Sequence, residues 1–236
     1  MQSESNDRRK FLKKSSLILL GAAVFNDKLI SSTSQKPNKI LQEEEVSPNE
    51  DLMREHGVLK RVLLVYQEII DRIYNKKDFP PDIVFDSANI IRNFIEDYHE
   101  KLEEDYLFPR LKKANKQVEL VNVLLAQHKA GRNVTDKILT LTKNNFTSDD
   151  DKKQLRSYLY SFIRMYSPHE AREDTILFPA FKEIVSKNEY DSLGEEFEEK
   201  EHQLFGEDGF ETMVNKVEGI EKKLGIYDLS QFTPKA

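Results

Sequence analysis

No cysteine occurs in the 236 residues, so disulfides, thiolate ligands and cysteine nucleophiles are excluded and any metal must be held by histidine and carboxylates. Glycine and proline number only 8 each, and the prolines sit at segment edges or beside two short motifs. Long uninterrupted helices are therefore expected, and strand-type alternation is nearly absent. No Ser-His-Asp set and no phosphate-binding loop is visible. What remains is a chain with 38% hydrophobic and 33% charged residues, enough to bury one substantial core under a charged surface. Its formal charge is −6, and residues 1–34 carry six Lys/Arg against three Asp/Glu, leaving 30 basic and 39 acidic residues beyond them. Such an acidic body is a poor partner for nucleic acid.

One stretch occurs twice. His99-Glu100-Lys101-Leu102-Glu103-Glu104-Asp105-Tyr106-Leu107-Phe108-Pro109 is matched by His169-Glu170-Ala171-Arg172-Glu173-Asp174-Thr175-Ile176-Leu177-Phe178-Pro179. Each copy places a His and a Glu four apart, on one face of a helix and able to reach a common point. Another His precedes each copy, His56 by 43 residues and His128 by 41. The pattern is that of a duplicated helix pair.

The folded part is expected to start at Ser47-Pro48-Asn49-Glu50, which has the form of a capping box with Pro at the first helical position. The first apolar stripe runs Leu52, His56, Leu59, Leu63, Tyr66, Ile70, Ile73, in steps of three and four. The turn Asp78-Phe79-Pro80-Pro81-Asp82 follows, then a second helix with Val84, Ala88, Ile91, Ile95, His99, Leu102 and Tyr106 on one stripe. Pro109 should end or kink it. A third helix, about 117–143, aligns Val121, Leu124, His128, Gly131, Thr135 and Ile138. A fourth, about 149–187, aligns Leu155, Leu159, Phe162, Tyr166, His169, Glu173, Ile176 and Leu177, with a bend expected at Pro168. A fifth segment, about 189–223, carries Leu193, Phe197, His202 and Phe205 and is interrupted at Gly206-Glu207-Asp208-Gly209.

Four of the five His thus fall inside the apolar stripes of four consecutive helices, together with Glu103 and Glu173. A single such His is ordinary core material, satisfied by one or two hydrogen bonds. Buried carboxylates are costly unless paired or metal-bound, and a metal resolves both at once. Imidazole and carboxylate donors without sulfur suit iron, manganese or zinc. Four His and two Glu exceed what one tetrahedral zinc takes, whereas two octahedral ions bridged by two carboxylates would use all six. The neighbouring Glu100, Glu104, Glu170 and Asp174 are expected outward or sideways, as solvated charges or partners of the ligands. The stripe tyrosines Tyr66, Tyr98, Tyr106 and Tyr166 read as core filler.

This order, His, His-x-x-x-Glu, His, His-x-x-x-Glu with Leu-Phe-Pro after each pair, resembles the hemerythrin-like cation-binding (HHE) domain over about residues 48–187. The resemblance implies an all-α, up-down-up-down four-helix bundle, here with an additional C-terminal helix, around a non-haem, oxo- or hydroxo-bridged pair of iron ions. It implies His56, His99, His128 and His169 as terminal ligands and Glu103 and Glu173 as bridges. Ferritin-like di-iron bundles use Glu-x-x-His instead, which occurs at none of these His. Oxygen-carrying hemerythrins have a His-x-x-x-His pair on the third helix, but no second His follows His128. His202 is the remaining candidate, expected to fold back and ligate the iron that lacks this His; the other reading is a surface His flanked by the acidic run 195–201. The implied function is to bind dioxygen or a related small ligand, peroxide or nitric oxide, at an open iron position. The alternatives are a detoxifying peroxidase-, catalase- or oxidase-type enzyme and an iron-storage protein.

The N-terminus adds an address. Asp7-Arg8-Arg9-Lys10-Phe11-Leu12-Lys13-Lys14 resembles a twin-arginine export signal, and the apolar run Ser15 to Phe25 behind it is too short to span a membrane comfortably. The implied partner is the twin-arginine export machinery, and the implied location is periplasmic or otherwise extracytoplasmic, with an uncleaved anchor as the alternative to cleavage. The expected layout is a signal segment over 1–34, a flexible linker over 35–46, the bundle over 47–187 and a helical extension with a tail over 188–236.

Overall fold

The structure, a computed structural model, describes residues 46–143 and 148–234. The signal and most of the linker expected above lie outside the described residues. The fold is all-α, and no strand occurs among the described residues.

Helix α1 (Pro48–Tyr74) starts where the capping box puts it: Ser47 Oγ accepts from the Glu50 amide, with Pro48 at the first helical position. Helix α2 occupies 81–113, α3 is Val118–Lys143, and α4 occupies 149–184. Ser148 caps α4 by accepting from the Asp151 amide at 3.0 Å. These four pack in a ring, α1 on α2, α2 on α3, α3 on α4 and α4 on α1. The connections at 75–80 and 114–117 are too short for anything but antiparallel neighbours. Leu52, Leu59, Tyr66, Ile91, Ile95, Leu124, Ile138, Leu155, Leu159 and Phe162 fill the centre, as the stripes require. No described helix is long and apolar enough to cross a membrane.

Helices α2 and α4 both stay helical through the prolines at their motifs. Helix α2 continues through Pro109 to Lys113, because π-helical turns at Ile91–His99 and Glu103–Leu107 shift the hydrogen-bond ladder. The Phe108 amide reaches back five residues to the Glu103 carbonyl, and Pro109 then falls in the first turn of the resumed α-helix, where its missing N–H is not needed. Helix α4 repeats the device: it runs through Pro168 as regular α-helix, widens into a π turn at Glu173–Leu177, and resumes at Phe178–Ile184 with Pro179 in its first turn. The wider turn also re-aims the stripe. Of the residues three after the motif Glu, Tyr106 is half-buried against Phe197 and Ile176 is 41% exposed, while Leu107 and Leu177, four after it, are fully buried.

Helix α4 ends at Ile184, ahead of the expected 187, where Val185 is extended and Ser186 caps α5 (Lys187–Phe205). Gly206 closes α5 at φ 83°, a backbone state that excludes side chains with a Cβ. Helix α6 (Gly209–Leu224) then packs on α1, α2 and α5. Arg61 on α1 holds Glu221 on α6 through two hydrogen bonds of 2.9 and 2.5 Å, and Arg72 caps the Leu224 carbonyl at 2.6 Å.

Candidate metal centre

The four inward His meet at the bundle axis as two pairs. His56 on α1 and His99 on α2 face each other with Nε2 atoms 3.1 Å apart, and His128 on α3 and His169 on α4 do so at 3.2 Å. All four are buried. Glu103 groups with the first pair and Glu173 with the second, each set having ligand atoms within 4.8 Å of one another. Each carboxylate also reaches the other pair. Glu173 lies 3.0 Å from His169 Nε2 and 3.4 Å from His56 Nε2, while Glu103 lies 3.5 Å from His128 Nε2 and 3.9 Å from His99 Nε2.

Behind every His stands an oxygen acceptor on Nδ1. Asp174 accepts from His56 at 2.7 Å, Glu55 from His99 at 2.7 Å, Glu104 from His128 at 3.1 Å, and the Gln127 carbonyl from His169 at 2.8 Å. An acceptor on Nδ1 fixes the tautomer, so each neutral ring presents a bare Nε2 lone pair to the centre. Two such lone pairs at hydrogen-bonding distance repel unless a cation lies between or beside them. Neither oxygen of Glu103 or of Glu173 has a hydrogen-bond partner, although both side chains are fully buried. Four lone-pair nitrogens and four unsatisfied carboxylate oxygens directed at one small volume fit cations, and the two-pair geometry fits two of them.

The electrostatics agree. Burial disfavours the cationic ring of His56, but the hydrogen bond to Asp174 and the nearby Glu173 carboxylate outweigh it and raise its pKa to about 9. Burial, then the His56 cation, drives His99 well below the usual histidine range, and burial lowers His128 to about 4. Burial and the adjacent Glu173 charge push Glu103 well above the usual carboxylate range. Burial works the same way on Glu173, but His169 and His56 beside it hold it well below that range. The shifts of His56 and Glu103 both favour the protonated form of a ligand group, so a metal cation bound here would compete with protons.

The chain belongs to the hemerythrin HHE cation-binding domain family. The family model matches residues 47–181, the bundle and both motifs. Uncharacterized proteins of Mycobacterium bovis and of two Mycobacterium tuberculosis strains are 50% identical over 194 residues, covering 82% of this chain and 76% of each relative. No solved structure matches the chain significantly.

In this hemerythrin-type site the two halves are related by an approximate two-fold. The acid after each motif Glu serves the first His of the other half: Glu104 serves His128, and Asp174 serves His56. The motif Phe does likewise, since Phe178 stacks on His56 and Phe108 on His128, each at 5.6 Å between centroids. That contact gives the Leu-Phe-Pro ending its role beside the ligands.

His202 is in neither cluster. Helix α5 buries Tyr190, Leu193, Phe197 and Glu201 against the bundle, a run in steps of three and four. The residue brought toward the centre is therefore Glu201, grouped with Asp51 and Glu55, and His202 is turned about 100° away. The expected seventh ligand is absent from the set that the fold assembles.

Glu100 and Glu170, expected outward or sideways, are buried. Glu100 accepts from the Tyr166 hydroxyl at 2.6 Å and pairs with Arg132 at 2.7 Å, and Arg132 also pairs with Glu104 at 2.8 Å. Glu55, Gln127, Lys60 and Arg132 escape a reading confined to the two motifs. The repeat itself marks them: Glu55 and Gln127 each immediately precede the first His of a half, and Lys60 and Arg132 each follow it by four.

Proposed function

We propose that this chain is an exported, non-haem di-iron protein of the hemerythrin type that binds dioxygen or a related small ligand. One observation carries the reading: two buried carboxylates, each lying between both histidine pairs, receive no hydrogen bond on any of their four oxygens and face only the histidine nitrogens. Two redox-active ions bound there would supply open coordination positions and a pair of accessible oxidation states. His56, His99, His128 and His169 would hold them together with Glu103 and Glu173. Asp174, Glu55, Glu104 and Gln127 keep the four Nδ1 protons pointed away from the centre, and Phe108 and Phe178 exclude water from one side. Iron is favoured by the family and the nitrogen–oxygen donor set; manganese and zinc fit the same donors. Export rests on the twin-arginine-like residues 7–14.

The test is anaerobic loading of the metal-free chain with ferrous iron, followed by air. Two irons per chain and new near-ultraviolet and visible bands are expected. Less than one iron per chain, with no band, would overturn the reading. Reversal of the bands on removing oxygen identifies a carrier; steady consumption of peroxide identifies the enzyme.

A further inference from the structure

The two-cation reading leaves open whether the two positions are alike. Their direct ligands are: each has two His and a share of the same two carboxylates. The groups behind those ligands differ. His56 and His99 are both backed by carboxylates, Asp174 and Glu55, whereas His128 and His169 are backed by one carboxylate and a neutral amide, Glu104 and Gln127. The countercharges are unequal too. Arg132, 23% exposed, pairs directly with Glu104 and Glu100 at 2.8 and 2.7 Å, and Lys101 also binds Glu104. Its counterpart Lys60 is 53% exposed and only approaches Asp174, at 3.7 Å.

A carboxylate on Nδ1 makes an imidazole a stronger donor than an amide does, and such partners change metal affinity ten- to a hundredfold. We propose that the His56–His99 position is the tight one, filled first, and that the difference between Glu55 and Gln127 sets the order. The side where carboxylates back both histidines holds the resident cation, and the Arg132 side holds the more readily exchanged one. This inference rests on the two-cation reading of the centre, and Glu55 and Gln127 act as positioning residues through His99 and His169.

Zinc is a suitable probe because it has no redox chemistry. The full metal-free chain is titrated with zinc against a competing chelator, by calorimetry, with circular dichroism checking each variant's fold. Two steps separated by at least tenfold are expected. His99→Ala should abolish the tighter step, and His169→Ala the weaker. Glu55→Gln, which keeps size and hydrogen-bonding capacity, should bring the steps within about threefold of each other. Gln127→Glu should tighten the weaker step by ten- to a hundredfold, and if it does not fold, Glu55→Gln decides alone. Two equal steps in the wild type, or an unchanged gap in Glu55→Gln, overturn the inference and leave the two-cation centre standing. Binding of fewer than two zinc ions by the wild type sinks that reading instead.

Discussion

Removing metal should cost this protein a large part of its thermal stability. The perturbation is chelation, and its size follows from the centre. Without cations the folded state must hold four unsatisfied carboxylate oxygens and two facing pairs of imidazole nitrogens in a dry interior. The unfolded chain bears no such burden. A cation that binds only the folded state, at one hundred times its dissociation constant, contributes about 2.7 kcal/mol, so two contribute about 5 kcal/mol. For a domain of this size each kcal/mol moves Tm by about 2–4 °C, which predicts a fall of about 10–20 °C on chelation. Differential scanning calorimetry of the metal-loaded chain, the chelated chain and the reloaded chain gives the answer directly. The fall should be recovered on reloading, and Glu103→Gln/Glu173→Gln, which removes both bridging charges, should melt at one temperature with or without metal. An unchanged wild-type Tm in chelator would refute the reasoning, because the six inward ligands would then be satisfied by the protein alone.

Asp174→Asn replaces the carboxylate that accepts from His56 Nδ1, and a ten- to hundredfold weaker affinity at the His56–His99 position is expected from competition titrations. At Gly131 a Cβ would lie 2.1 Å from the Tyr166 hydroxyl, so Gly131→Ala must displace Tyr166 from Glu100. It should cost about 1–3 kcal/mol in denaturant unfolding, with partial recovery in Gly131→Ala/Tyr166→Phe. Burial raises Glu96 to about 7 against the opposing pull of Thr135 and Arg92, so the folded state binds its proton more tightly than the unfolded state does. The stability from this group is therefore full below about pH 4.5 and is lost as pH rises through about 7, a change of about 3 kcal/mol. The stability difference between wild type and Glu96→Gln, both in chelator, should drift by that amount between those pH values; a pH-independent difference would count against a neutral Glu96.

The sequence alone determined the helices and, of seven candidate ligands, the six that the fold brings together. Periodicity placed His56, His99, His128 and His169 on inward stripes, because a stripe in steps of three and four has one buried face whatever it packs against. The repeat spacing paired each His with Glu103 or Glu173 for the same local reason. What periodicity could not supply was anything set across helices. That Glu104 and Asp174 serve the histidines of the opposite half depends on how α2 faces α3 and α4 faces α1, and only packing fixes those distances. Helix α2 passes through Pro109 because a π turn absorbs the missing donor, and a strictly 3.6-residue reading has no such turn. The same regular reading placed Tyr106 inward in place of Leu107, and Ile176 inward beside Leu177, whereas the widened turn buries only the two leucines. His202 shows the limit most clearly. Nothing local distinguishes it from Glu201, and the docking of α5 through Leu193 and Phe197 decides which of the two faces the centre, since one residue along a helix is about 100° of rotation.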